Sequence, residues 1–169
     1  MNKPKAVGTA AETAVTRALH GLGFPHAERR ALRGAHDAGD ITGTPGICWE
    51  VKGGTAAKTA SDNLVAQWLD DTERERRAAG AAVGVLVLQR SGIGGVNAHR
   101  WWAVVRWPIL LSPTTLLGFP DGVVLRLYLS DLCLMLRRSG YGAPVDVDEG
   151  RAVTVHEASE DTNENGDAL

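Results

Sequence analysis

Apolar residues at Ala11, Val15, Ala18, Leu19 and Leu22 recur at spacings of three and four, which predicts a helix over residues 8–22. Thr9 fits its N-cap, Glu12 three positions on would complete a capping box, and Gly21 and Gly23 are stop signals. Residues 24–32 read as a short strand with a basic exit at Arg29-Arg30, followed by a glycine-rich loop over 34–39. Residues 40–43 and 47–52 then form the two arms of a hairpin turned by Thr44-Pro45-Gly46. On the second arm Cys48, Glu50 and Lys52 share one face, and Ile47, Trp49 and Val51 the other.

The longest helix is expected over residues 61–79, with Leu64, Val65, Trp68 and Leu69 as its apolar stripe. Its second half, from Asp70 to Arg77, is dense in charge and is expected to face water. Gly80 caps it, and the unbroken apolar run over 82–88 has the character of a buried central strand. A glycine-rich turn over 91–97 reads as a mobile hairpin, and a strand over 101–107 ends at Pro108. A strand over 123–129 leads into a helix opened by Ser130 or Asp131, running through Arg138 and stopped by Gly140. This order predicts an α/β fold, a central mixed β-sheet flanked by helices.

At 169 residues, with 44% apolar and 22% charged positions, the chain suits one folded domain and excludes a wholly disordered protein. The domain is expected over residues 1–145, followed by an acidic, disordered tail over 146–169. That tail holds eight acidic residues and only Arg151 as a base, so the net charge of −2 conceals a body of +5 and a tail of −7. A mildly basic body suits an anionic partner or is an ordinary solvated surface. No stretch is apolar enough for a membrane span or a secretory signal, so no membrane association is expected. With Cys48 and Cys133 as the only cysteines there is no disulfide framework, and a cytoplasmic setting is expected. The 14 arginines against 4 lysines suggest a GC-rich bacterial or phage genome. The five histidines lack metal-ligand spacing.

Candidate chemistry concentrates in Asp40 and Glu50-Val51-Lys52. The hairpin can bring Asp40 near Glu50, and residues two apart on a strand point the same way, so two carboxylates and an ammonium converge. Carboxylate oxygens bind hard cations such as Mg²⁺. A bound cation polarises a phosphate oxygen and acidifies a water, and a lysine can orient that water or offset developing charge. Asp40 is preferred over Asp37 as the ligand because Ile41 begins the strand pattern. The alternatives are that Glu50 and Lys52 form a solvated ion pair and that Glu12 serves only as a cap.

Asp40 with Glu50-Val51-Lys52, preceded by the glutamate-bearing segment Gly8-Thr9-Ala10-Ala11-Glu12 and by Gly23-Phe24 with Arg29-Arg30, resembles the PD-(D/E)xK nuclease core. Followed by a helix carrying Gln67 and an apolar strand, this order is similar to archaeal-type Holliday junction resolvases and their phage relatives over about residues 8–90. The resemblance implies a restriction-endonuclease-like core and a Mg²⁺-dependent endonuclease acting on branched or double-stranded DNA, with Mn²⁺ able to substitute. It implies Asp40 and Glu50 as metal ligands with the main-chain carbonyl of Val51, Lys52 as the catalytic lysine, and Glu12 as support for a second metal or a water. Gln67 would support the site. Where that family carries proline before the aspartate, this chain has Gly39. Arg29, Arg30 and Arg33 would lie beside the active face and grip phosphates, or are surface charge. One of Trp101 and Trp102 should face outward and could pack on a partner subunit, giving a homodimer matched to a two-fold junction. The competing functions are a replication-repair-type or nicking nuclease on the same core, and a non-catalytic nucleic-acid-binding module.

Overall fold

The computed structural model describes residues 3–30, 39–106 and 124–145. Arg33, Asp37, His36, Trp107, Pro108 and the acidic tail from Asp146 lie outside the described residues. Helix α1 (Lys3–Gly21) is followed by β1 (Glu28–Arg29), β2 (Ile41–Thr42) and β3 (Ile47–Lys52). Two helices come next, the short α2 (Gly54–Lys58) and the long α3 (Asp62–Ala78). Then come β4 (Val83–Leu88), a 3-10 turn (Gly95–Arg100), β5 (Trp102–Arg106), β6 (Val124–Tyr128) and α4 (Leu129–Arg138). Among the described residues six strands form one mixed sheet in sequence order, all pairs antiparallel except β3 and β4. A parallel pair cannot be joined by a hairpin, and α3 is the crossover that links β3 to β4.

The pleat divides the core in two. Trp49, Val51, Val85, Val87, Ala103 and Val105 pack against α1 and α4, which contribute Val15, Leu19, Leu132 and Leu136. On the opposite face Leu86, Leu88 and Val104 pack against Val65 and Leu69 of α3. Every residue of β4 is buried, as its unbroken apolar run predicts. Among the described residues no helix is long and apolar enough to cross a membrane.

Three local expectations change. Helix α1 begins at Lys3, so Thr9 lies inside it, where its carbonyl accepts a hydrogen bond from the Thr13 hydroxyl (2.7 Å), and there is no capping box. Pro4 in the first turn suits this earlier start, because the missing amide has no intrahelical partner there. The charged half of α3 does not simply face water: Thr72 and Glu73 are buried. The reason lies in β4, where a β-carbon at Gly84 would stand 3.1 Å from Glu73 Oε1 and 3.3 Å from Arg76 Cδ. The Glu73–Arg76 ion pair (3.0 Å) fills the space left by that missing side chain. Finally, the 91–97 stretch is not a free hairpin. It leads into the 3-10 turn, where a β-carbon on Gly95 would come within 3.0 Å of Ala14 on α1.

Candidate active site

The alternation of β3 turns Cys48, Glu50 and Lys52 to the α3 side, and Glu50 is only 8% exposed, rare for a glutamate. The hairpin brings Asp40 alongside. Its amide donates to the Trp49 carbonyl (2.7 Å), and its Oδ2 accepts from the Val51 amide (2.7 Å). The carboxylate is thus locked to β3 by the backbone on either side of Glu50. Gly39 makes this turn possible. Its φ is +83°, and a β-carbon there would lie 2.7 Å from the Trp49 carbonyl oxygen. Proline holds φ near −65°, so this turn requires the glycine.

Helix α1 closes on the far end of β3. A β-carbon on Gly53 would fall 2.5 Å from that of Ala11, so only glycine allows the approach that carries Glu12 to the site. Glu12, Asp40, Glu50, Val51 and Lys52 all line one cavity of about 900 Å³ at this end of the sheet. Arg29 on β1 pairs with Glu12 (3.4 Å), and the Arg30 amide donates to the Asp40 carbonyl (2.8 Å), so both arginines border the cluster. Gln67 is exposed and is not part of the cavity lining.

The carboxylates are electrostatically crowded. Asp40 is pushed up to about 7, first by burial and then by the charge of Glu50, with Glu12 adding to it, against the opposing Val51 amide and Lys52. Glu50 is likewise pushed up to about 7, chiefly by burial and further by Glu75, although its bond to the Lys52 ammonium works the other way. Lys52 is held above its ordinary value. Burial disfavours its charge, but the bond to Glu50 and the charges of Glu50, Asp40 and Glu75 outweigh that. The Cys48 thiol is pushed up to about 12 by burial, Glu75 and Glu50, which makes it a packing residue and not a nucleophile.

Three residues of the site went unread in the sequence. Glu75, hidden in the charged run of α3, stands close enough to Glu50 to help raise it. Trp68 packs in the apolar stripe of α3 as expected, and its ring centroid also lies 5.9 Å from Lys52 Nζ, a contact that periodicity does not show. Gln89, just past β4, lines the cavity and accepts from the Gly54 amide (2.7 Å), fixing the turn that follows Lys52. Only the position of Gln89 directly after an apolar strand could have hinted at its role.

Among the described residues no three His, Cys, Asp or Glu side chains are grouped so as to hold a metal ion by themselves. The oxygen-only donors at hand are Asp40, Glu50 and the Val51 carbonyl, a set that suits a hard divalent cation completed by water. The upward shifts of Asp40 and Glu50 fit as well, because a cation would relieve the repulsion that raises them. No protein-family model matches the chain, and neither a curated protein nor a solved structure gives a match.

Proposed function

We propose that the chain is a Mg²⁺-dependent DNA endonuclease built on a restriction-endonuclease-like core of the PD-(D/E)xK kind, acting on four-way junctions by paired phosphodiester hydrolysis. The observation that carries the reading is the convergence of Glu12, Asp40, Glu50 and Lys52 on one cavity from α1, the turn before β2, and β3.

Asp40, Glu50 and the Val51 carbonyl would hold the ion, and Glu12 is near enough to the cluster to steady a water. When bound, Mg²⁺ supplies charge neutralisation at the phosphate and acidification of a water. Lys52 contributes donors only: its ammonium, kept protonated by Glu50, can turn from that carboxylate toward a phosphate oxygen or the attacking water. Arg29 and Arg30, both exposed, are placed to hold flanking phosphates. A four-way junction is two-fold symmetric, so a homodimer would present two such cavities to opposing strands.

The deciding experiment is cleavage of a synthetic four-way junction, a flap and a linear duplex, each with Mg²⁺, Mn²⁺ or EDTA. Metal-dependent paired nicks on the junction are expected. Cutting of flap or duplex alone would assign the site to a replication-repair-type or nicking nuclease. No cutting of any substrate with either metal would overturn the nuclease reading.

A further inference from the structure

The pairing register draws one row across the sheet. Lys52 pairs with Leu88, Leu88 with Trp102, and Trp102 with Tyr128. Lys52, Leu88 and Trp102 all face α3, and the Tyr128 ring stacks on Trp102 with centroids 5.2 Å apart and planes 14° from parallel. Adjacent strands lie about 4.8 Å apart, so this row runs about 14 Å from the cavity to the sheet edge.

Cations accompany the aromatic rings. The Arg90 guanidinium sits 4.6 Å from the Trp102 centroid and 5.2 Å from that of Tyr128. It makes no ion pair among the described residues, so its charge is held by rings and not by a carboxylate. Arg126, on β6, reaches only the almost fully exposed Asp62, at 3.7 Å. Asp70 pairs with Arg106, at the opposite end of β5. Tyr128 is 37% exposed, and β6 is the last strand of the sheet among the described residues.

A stacked aromatic pair with an uncompensated arginine over it, continuous with a catalytic lysine, is the chemistry that holds an unpaired base beside a bound phosphate backbone. We infer that Tyr128, Trp102 and Arg90 form a shelf that stacks an unpaired nucleobase of a DNA strand leaving the cavity. Duplex DNA keeps its bases stacked on one another and cannot offer a face to Tyr128. The shelf therefore selects DNA with a single-stranded or unstacked segment next to the cut. This rests on the nuclease reading for the identity of the ligand, but binding measured without metal tests it separately.

The test is titration of the full chain in EDTA with a short oligothymidylate and with a fully paired linear duplex. Tryptophan fluorescence and anisotropy are read for wild type, Tyr128→Leu, Tyr128→Phe and Arg90→Gln. Oligothymidylate should quench tryptophan emission in the wild type. Tyr128→Leu should weaken its binding by about tenfold or more and leave duplex binding within about twofold, while Tyr128→Phe retains it. Arg90→Gln should also weaken the single strand more than the duplex. Equal losses on both DNAs, or none, would overturn the shelf. So would a change from dimer to monomer in Tyr128→Leu with single-strand binding intact, which would make this edge a contact between copies. Should Tyr128→Leu fail to fold, photocrosslinking of wild type to a 5-bromouracil oligonucleotide decides: crosslinks at Trp102 or Tyr128 support the shelf, and crosslinks only elsewhere reject it. A protein that cuts nothing yet gives the single-strand result keeps the shelf and loses the nuclease reading.

Discussion

Strand β3 meets two different environments on its two faces. Toward α1 and α4 it presents Ile47, Trp49 and Val51, all buried in a continuous apolar core, with the Trp49 indole N–H satisfied by the Thr44 hydroxyl (2.9 Å). Toward α3 it presents Cys48, Glu50 and Lys52, and there burial works against the charges it encloses. The same six residues therefore stabilise the fold on one side and hold a destabilising cluster on the other. A purely structural strand would carry apolar residues on both faces, as β4 does. Buried, mutually repelling carboxylates work against the metal-free fold, and that repulsion is what a cation at the proposed site would relieve.

Substitutions on either face should act oppositely. Trp49→Ala empties the largest buried position on the apolar face and should destabilise by about 3–5 kcal/mol, read by denaturant midpoint. Glu50→Gln and Asp40→Asn should instead raise metal-free stability at pH 8 while abolishing cleavage and leaving DNA binding largely intact, since basic side chains supply most of the affinity. A loss of stability in both carboxylate variants at pH 8 would break the comparison.

Lys52→Ala removes a cation without removing a metal ligand. Single-turnover cleavage should fall about 100-fold or more, equivalent to about 2.7 kcal/mol of transition-state stabilisation, with little change in junction affinity. A rate within about threefold of wild type would assign Lys52 to a simple ion pair with Glu50.

The crowding of the carboxylates also predicts a pH dependence. Asp40 and Glu50 titrate near 7 when folded, against ordinary values of 3.8 and 4.5, so between these limits the folded chain holds more protons than the unfolded one. Their contribution is most favourable below about 4 and is lost as pH rises through about 7. Metal-free melting temperature should therefore decline between pH 5 and 8. Mg²⁺ at pH 8 should restore it, as binding to the folded state alone must. The Asp40→Asn, Glu50→Gln double variant should show neither the decline nor the Mg²⁺ response.

The sequence revealed the apolar face of β3 far better than the surroundings of its polar face. Alternation along 47–52 and the unbroken run of β4 depend only on local periodicity, and both strands lie where that periodicity puts them. The nine residues between Asp40 and Glu50 encode a hairpin, which sufficed to bring those carboxylates into one cavity. What periodicity cannot encode is the complement supplied by another element. The burial of Glu73 depends on Gly84, the approach of Glu12 depends on Gly53, and the aspartate turn depends on a positive φ at Gly39. The early start of α1 was legible only in Val7, four before Ala11, because Thr9 with Glu12 imitates a capping box at a later start.

The smallest expected effect sets two polar residues of α3 against each other. Gln67, expected from the resemblance to support the site, is exposed, whereas the charge of Glu75, eight positions on, acts on Glu50. Gln67→Ala should leave stability within about 0.5 kcal/mol of wild type, because nothing buried depends on it. Glu75→Gln removes one of the charges that raise Glu50 while keeping a hydrogen-bonding side chain. Its effect should be modest in size but definite in direction: the decline in metal-free stability between pH 5 and 8 becomes shallower, because Glu50 then titrates lower and the folded chain sheds its extra proton earlier. Melting curves at the two pH values measure this directly. An unchanged slope in Glu75→Gln, or a changed one in Gln67→Ala, would mean that α3 reaches the carboxylates through a different residue than the geometry indicates.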